Sequence, residues 1–231
     1  MFFSCLGIVL VPVIAIFIFG IASSHQLVIL SLGSSFFWII SVLLASLFDP
    51  IAPTWVVSVL SVIFQEAVRF GFWKLFDKAY NHGFISKDKT KTSNFQAAIA
   101  IGWGFGVTQL MMTYVAALFH ATGPGLLSSP SCPTTSVFYI NALIMVALCF
   151  AHIVWNVIAF DGYNQGAYWK PLIVLVLHIL SAVMAVVVEG FNGGCIVSVC
   201  LIWLLFVIAV FFLWWTLGRN NSLVARRWAN I

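Results

Sequence analysis

Charge is what this sequence has least of. Its 231 residues hold ten Lys/Arg and six Asp/Glu, 7% of the chain, where soluble domains carry about a quarter. Hydrophobic residues make up 63% and mean hydropathy is +1.11, so no water-soluble fold could cover the apolar surface. The charges that remain gather between long apolar runs, the pattern of spans and loops. The net charge of +4 is therefore a topology signal rather than a nucleic-acid footprint. Cysteine pairs are lacking too: Cys5, Cys132, Cys149, Cys195 and Cys200 form no CxxC and no His/Cys metal spacing. Neither a metal nor another cofactor is expected. The opening run, Phe2 to Ile21, has no basic n-region and no small-x-small cleavage site, so it reads as a span rather than a signal peptide.

What is present is a series of apolar stretches of the length that crosses a hydrocarbon core about 30 Å thick. They fall at 2–22, 27–48, 53–75, 95–119, 134–160, 169–188 and 195–217. The expected fold class is all-α: a polytopic membrane protein of seven transmembrane helices forming one membrane domain over residues 1–231. Every connection is short, which leaves no room for a soluble domain. Lys78, Lys87, Lys89 and Lys91 occupy the third connection, with Lys74 just before it. Lys170 borders the fifth, and Arg219, Arg226 and Arg227 lie in the tail. By the positive-inside rule these segments are cytosolic, which puts the C-terminus in the cytosol and the N-terminus on the lumenal or extracellular side. The sequon Asn220-Asn221-Ser222 would then never meet the glycosylation machinery.

Ionisable groups inside spans cost about 2.5–3.5 kcal/mol each on insertion scales, so they need partners or a function. Four stand out: Glu66 and Arg69 in the third span, His152 in the fifth and His178 in the sixth. Glu66 and Arg69, three residues apart, share a helical face at pairing distance and are expected to form a buried ion pair. Counting at about 1.5 Å per residue puts Glu66, His152 and His178 at similar depths. The short fifth connection makes spans five and six antiparallel neighbours, so the two histidines could face each other. Such a polar layer could hold a general base or metal ligand, a proton or ion relay, or interhelical hydrogen bonds that fix the bundle. No Ser or Cys nucleophile is paired by motif, no third metal ligand is suitably spaced, and no inverted repeat or broken-helix pair appears. Interhelical bonding is favoured, and no catalytic residue is assigned.

The fourth span opens with Gly102-Trp103-Gly104-Phe105-Gly106. Gly102 and Gly106 form a GxxxG, a surface on which a neighbouring backbone can approach closely, and Gly104 lies on the other side of the helix. Whether the neighbour is internal or another chain is left open by the motif. Cys132 and Cys195 lie in or near lumenal segments and could be bridged in an oxidising compartment. Aromatic residues near the span ends, including Trp73, Tyr168, Trp169, Trp214, Trp215 and Trp228, fit an interfacial belt.

Several fragments, in the order and at the spacing the family shows, resemble the anterior pharynx-defective subunit of γ-secretase over nearly the whole chain. They are Phe36-Phe37-Trp38 with Leu43-Leu44-Ala45-Ser46, and Phe64-Gln65-Glu66-Ala67-Val68-Arg69-Phe70 leading to Lys74-Leu75. The Gly102/Gly106 segment, Gly123-Pro124-Gly125, His152-x-x-Trp155 with Phe160-Asp161, and His178 follow. The resemblance implies a seven-span, N-out and C-in subunit with no active site of its own. It would scaffold and stabilise an intramembrane aspartyl protease complex that processes type I membrane proteins, Notch signalling included. Its partners would be presenilin, nicastrin, the small presenilin-enhancer subunit and membrane lipid. Its compartments would be the endoplasmic reticulum, Golgi, endosomal and plasma membranes. Gly102 and Gly106 match the family's glycine motif for helix packing and assembly, and His152 and His178 match its two intramembrane histidines. The next step of the glycine repeat is Leu110, a departure that puts the full length of the close-packed face in question. The alternatives from other classes are a metal- or histidine-dependent intramembrane hydrolase and a seven-span transporter or receptor.

Overall fold

The computed structural model describes residues 2–81, 94–120, 128–129, 131–187 and 191–219. Lys87, Lys89, Lys91, Gly123-Pro124-Gly125, the Asn220 sequon, Arg226, Arg227 and Trp228 lie outside the described residues. Among the described residues seven α-helices follow one another: α1 (Phe2–Ile16), α2 (His25–Ser46), α3 (Thr54–Asn81), α4 (Asn94–His120), α5 (Val137–Gln165), α6 (Trp169–Val187) and α7 (Gly194–Arg219). Six of them, α2 to α7, are long and apolar enough to cross a membrane. The first apolar run divides between α1, which carries Pro12, and a π-helical turn, Phe17–Ile21. Large apolar side chains face outward across the bundle, among them Phe19, Phe36, Ile51, Phe211 and Trp214. An apolar solvent around the protein is the physical reason that such a surface is stable.

Helix α5 is the hub. It is buried on nearly every side, and its neighbours α1, α4, α6 and α7 surround it, with α3 touching it through Arg69–His152 and, toward the end of α5, through Trp73–Asn164 and Phe76–Phe160. Helix α2 packs on α3 and α4, and α3 packs on α6. Helix α7 is the opposite case, mostly outward-facing along its length. Serines along α2 are buried without cost because each hydroxyl donates to a carbonyl of its own helix: Ser31 to Val28 (2.8 Å), Ser34 to Ser31 (2.8 Å) and Ser41 to Trp38 (2.5 Å). Small and internally satisfied, Ser31 and Ser34 form a smooth face for α4.

Helix boundaries differ from the apolar runs at both ends of α5. The fifth run was expected to begin at residue 134 and end at 160. Residues Cys132–Ser136 instead form strand β2, paired antiparallel with β1 (Ser128–Ser129). The helix continues to Gln165 because Asp161 is buried by a pair with Lys170 from α6, with Gln165 Nε2 donating to Asp161 at 2.7 Å and Lys170 donating to Gln165 at 3.0 Å. Gly166, at φ +67°, closes the helix in the left-handed conformation that a side chain would resist. Lys170 thus serves as an ion-pair partner as well as a marker of charge bias.

Candidate functional site

Four helices converge on one buried polar layer. Arg69 Nη1 donates to both carboxylate oxygens of Glu66, at 2.6 and 2.8 Å, one turn apart on α3. His178 Nδ1 on α6 lies 2.8 Å from Glu66 Oε1, and Arg69 Nη2 lies 3.1 Å from His152 Nδ1 on α5. His152 Nε2 meets Gln109 Oε1 on α4. The two imidazoles stand edge to face with centroids 5.0 Å apart, and the Trp155 ring packs on His178 at 4.6 Å. Arg69, His152 and Trp155 are completely buried. The layer therefore links α3, α4, α5 and α6, each charge within reach of an opposite charge or a hydrogen-bonding ring.

The chemistry of these contacts fixes proton positions. A guanidinium has only donors, so His152 Nδ1 must be the acceptor from Arg69. The ionised Glu66 has only acceptors, so His178 Nδ1 carries its hydrogen and donates. Arg69 also lies over the Phe105 ring, 5.4 Å from its centroid, which sets an aromatic face of α4 against the cation.

The glycine segment docks α4 between two internal neighbours. A Cβ added at Gly102 would lie 2.7 Å from Ile153 Cα and 2.9 Å from the His152 carbonyl oxygen. At Gly106 it would lie 2.6 Å from the Cys149 carbonyl oxygen. Both partners are α5 backbone. On the opposite face, a Cβ at Gly104 would collide with Ser34 Oγ and the Ser31 carbonyl of α2. Ser35 Oγ completes that contact by donating to the Gly104 carbonyl at 3.1 Å. Leu110 is buried in the apolar cluster shared with Val9, Tyr114 and Cys149. At that point the space beside α4 accommodates a full side chain, so the close approach seen at Gly102 and Gly106 does not continue to the next step of the repeat.

Gln65 and Gln109 are uncharged, and nothing in their sequence surroundings marks them as site residues. Gln65 Oε1 accepts from Trp38 Nε1 at 3.1 Å and its Nε2 donates to Ser61 Oγ at 3.1 Å, joining α2 to α3. Asn156, equally unmarked, donates from Nδ2 to the Ala98 carbonyl at 2.7 Å across α4 and α5. A cavity of about 460 Å³ lies between α2, α3, α4, α5 and α6, with Gln65, Gln109 and His178 in its wall and Asp49 and Thr54 at the α2–α3 end. The polar layer therefore adjoins a cavity.

Cys132 and Cys195 form a disulfide across 63 residues, with Cα atoms 6.2 Å apart. The Gly193 amide donates to the Ser131 carbonyl at 2.7 Å beside it, tying the start of α7 to the strand before α5. Cys5, Cys149 and Cys200 are free thiols. Alkylation of the fully denatured chain is expected to modify three cysteines without reductant and five after reduction, read by intact mass. Five in both conditions would refute the bridge.

The chain is similar to known proteins over most of its length. A family model described as Aph-1 protein matches residues 1–220. The gamma-secretase subunit APH1-like of Arabidopsis thaliana is 31% identical over 208 residues, covering 84% of this chain and 83% of that protein. The gamma-secretase subunit Aph-1b of Danio rerio is 28% identical over 230 residues, covering 87% and 86%. The gamma-secretase subunit Aph-1 of Drosophila melanogaster is 29% identical over 175 residues, covering 72% of each. By the match to its family model and by these relatives, this multi-pass membrane chain belongs to the Aph-1 family.

Proposed function

We propose that this chain is a non-catalytic scaffold subunit of a γ-secretase complex, assembling with presenilin, nicastrin and the small presenilin-enhancer subunit to support cleavage of type I membrane proteins. The observation that carries this reading is the way the polar layer is spent. Glu66, Arg69, His152 and His178 bind one another and Gln109, and in doing so pin four helices. Groups committed to mutual hydrogen bonds hold helix faces at fixed positions, which is what a scaffold inside a membrane must do. Membership of the complex follows from the family, whose relatives carry the γ-secretase name.

The orientation proposed is seven spans with the N-terminus lumenal and the C-terminus cytosolic, the Phe2–Ile21 segment supplying the first crossing. The Cys132–Cys195 disulfide supports it, because such a bridge persists in an oxidising compartment. In the proposed orientation the α4–α5 and α6–α7 connections, which the bridge joins, are lumenal, opposite Lys74 and Lys78. The compartments proposed are the endoplasmic reticulum, Golgi, endosomal and plasma membranes.

Affinity purification of the tagged chain from gently solubilised membranes tests the proposal. Presenilin and nicastrin are expected in the eluate. His178→Ala or Gly102→Leu is expected to lower their recovery several-fold without supplying or removing a nucleophile. Normal recovery from both variants would sink the role given to these residues. Proteolysis by the purified chain alone would support the hydrolase reading instead.

A further inference from the structure

We propose that Gln109 is a positioning residue: it holds His152 with its proton on Nε2, and so keeps His152 Nδ1 available to accept from Arg69. The consequence for assembly rests on the scaffold function proposed above.

Arg69 can only donate, so its 3.1 Å contact requires a bare Nδ1 on His152. A neutral imidazole then carries its hydrogen on Nε2. His152 is fully buried, and a buried N–H left without an acceptor is costly. Gln109 Oε1 is the acceptor placed there. Its arrival follows from the glycine packing. With Gly106 against the Cys149 backbone, α4 and α5 run antiparallel at close range. Helical side chains tilt toward the N-terminus of their own helix, so Gln109 leans back toward Gly106 while His152 leans toward Cys149, and the two meet between the backbones. Gln109 also lines the cavity and is half-buried. It therefore stands between that space and the completely buried His152–Arg69 contact.

An amide can present either its oxygen or its NH2, and only the oxygen serves here. Glutamate keeps an acceptor at the same reach. Methionine keeps the length and supplies no comparable acceptor.

The test uses the full chain, with 15N-labelled histidine, in lipid nanodiscs, where nitrogen NMR separates bare from protonated ring nitrogens. Wild type and Gln109→Glu are expected to show His152 with bare Nδ1 and protonated Nε2, and Gln109→Met is expected to lose that pattern. In the purified complex, Gln109→Met should lower presenilin and nicastrin recovery about fivefold or more, the size of one buried hydrogen bond left unmade, with Gln109→Glu restoring most of it. A side chain that merely fills volume predicts the reverse order, methionine tolerated and glutamate not. Protonated Nδ1 in the wild type, or an unchanged His152 pattern in Gln109→Met, would overturn the proposal. Loss of the pattern with recovery unchanged would uphold the positioning role and count against the scaffold function. Should Gln109→Met not fold, the wild-type and Gln109→Glu spectra still decide the proton's position.

Discussion

Replacing Arg69 with methionine is expected to destabilise the folded chain by about 3–5 kcal/mol, the cost of leaving one member of a buried ion pair behind. Glu66 would keep its carboxylate among apolar helices with only His178 to donate to it, and His152 Nδ1 would lose its donor as well. Much of the loss is the stranded charge, not the value of the bond. The double variant Glu66→Gln/Arg69→Met is therefore expected to be more stable than Arg69→Met alone, since a carboxamide in that position bears no charge. Thermal unfolding of the chain in one detergent, with helicity as the signal, reads both. A double variant no more stable than the single would mean that Arg69 acts through packing on Phe105 rather than through Glu66.

How much of this layer could be read in advance depended on whether a residue is expensive in lipid. Glu66, Arg69, His152 and His178 each stand out in a long apolar run, and a three-residue spacing suffices to pair the first two. Gln109 and Gln65 carry no charge and read as tolerated polar residues. Their cross-helix partners lie 43 and 27 positions away, and nothing local marks them as bridging helices. The glycine segment was legible as a docking surface but not as to partner, because small residues allow an approach without naming what approaches. Two partners occupy it, α5 on one side and α2 on the other. Apolar run length locates hydrocarbon, not helix ends. It therefore missed the last five residues of α5, held in the helix by the Asp161–Lys170 pair that forms only when α6 folds back. The β1–β2 pairing was hidden for the same reason, its anchors being Cys195 and Gly193 far along the chain.

The second large effect concerns α4 itself, which is pressed from two sides within two turns. Gly104→Ala puts a methyl group against the Ser31 carbonyl and Ser34 Oγ of α2. Overpacking of this kind costs about 1–3 kcal/mol, and backbone cannot rotate out of the way as a side chain can. Retreat toward α5 is blocked, because the Gly102 and Gly106 positions already lie against the backbone at Ile153 and Cys149. Combining Gly104→Ala with Gly106→Ala should therefore cost more than the two changes summed, since relief of either clash aggravates the other. Ser34→Gly added to Gly104→Ala should recover only part of the loss: it removes the hydroxyl and leaves the Ser31 carbonyl in place. Gly71→Ala provides the contrast. Nothing lies within 4 Å of its added Cβ, so alanine there should be neutral or stabilising by about 0.5–1 kcal/mol. Melting temperatures of the five variants measured together decide the matter. Equal shifts for Gly71→Ala and Gly104→Ala would mean that α4 is not clamped, and a simple sum in the double variant would mean that its two faces yield independently.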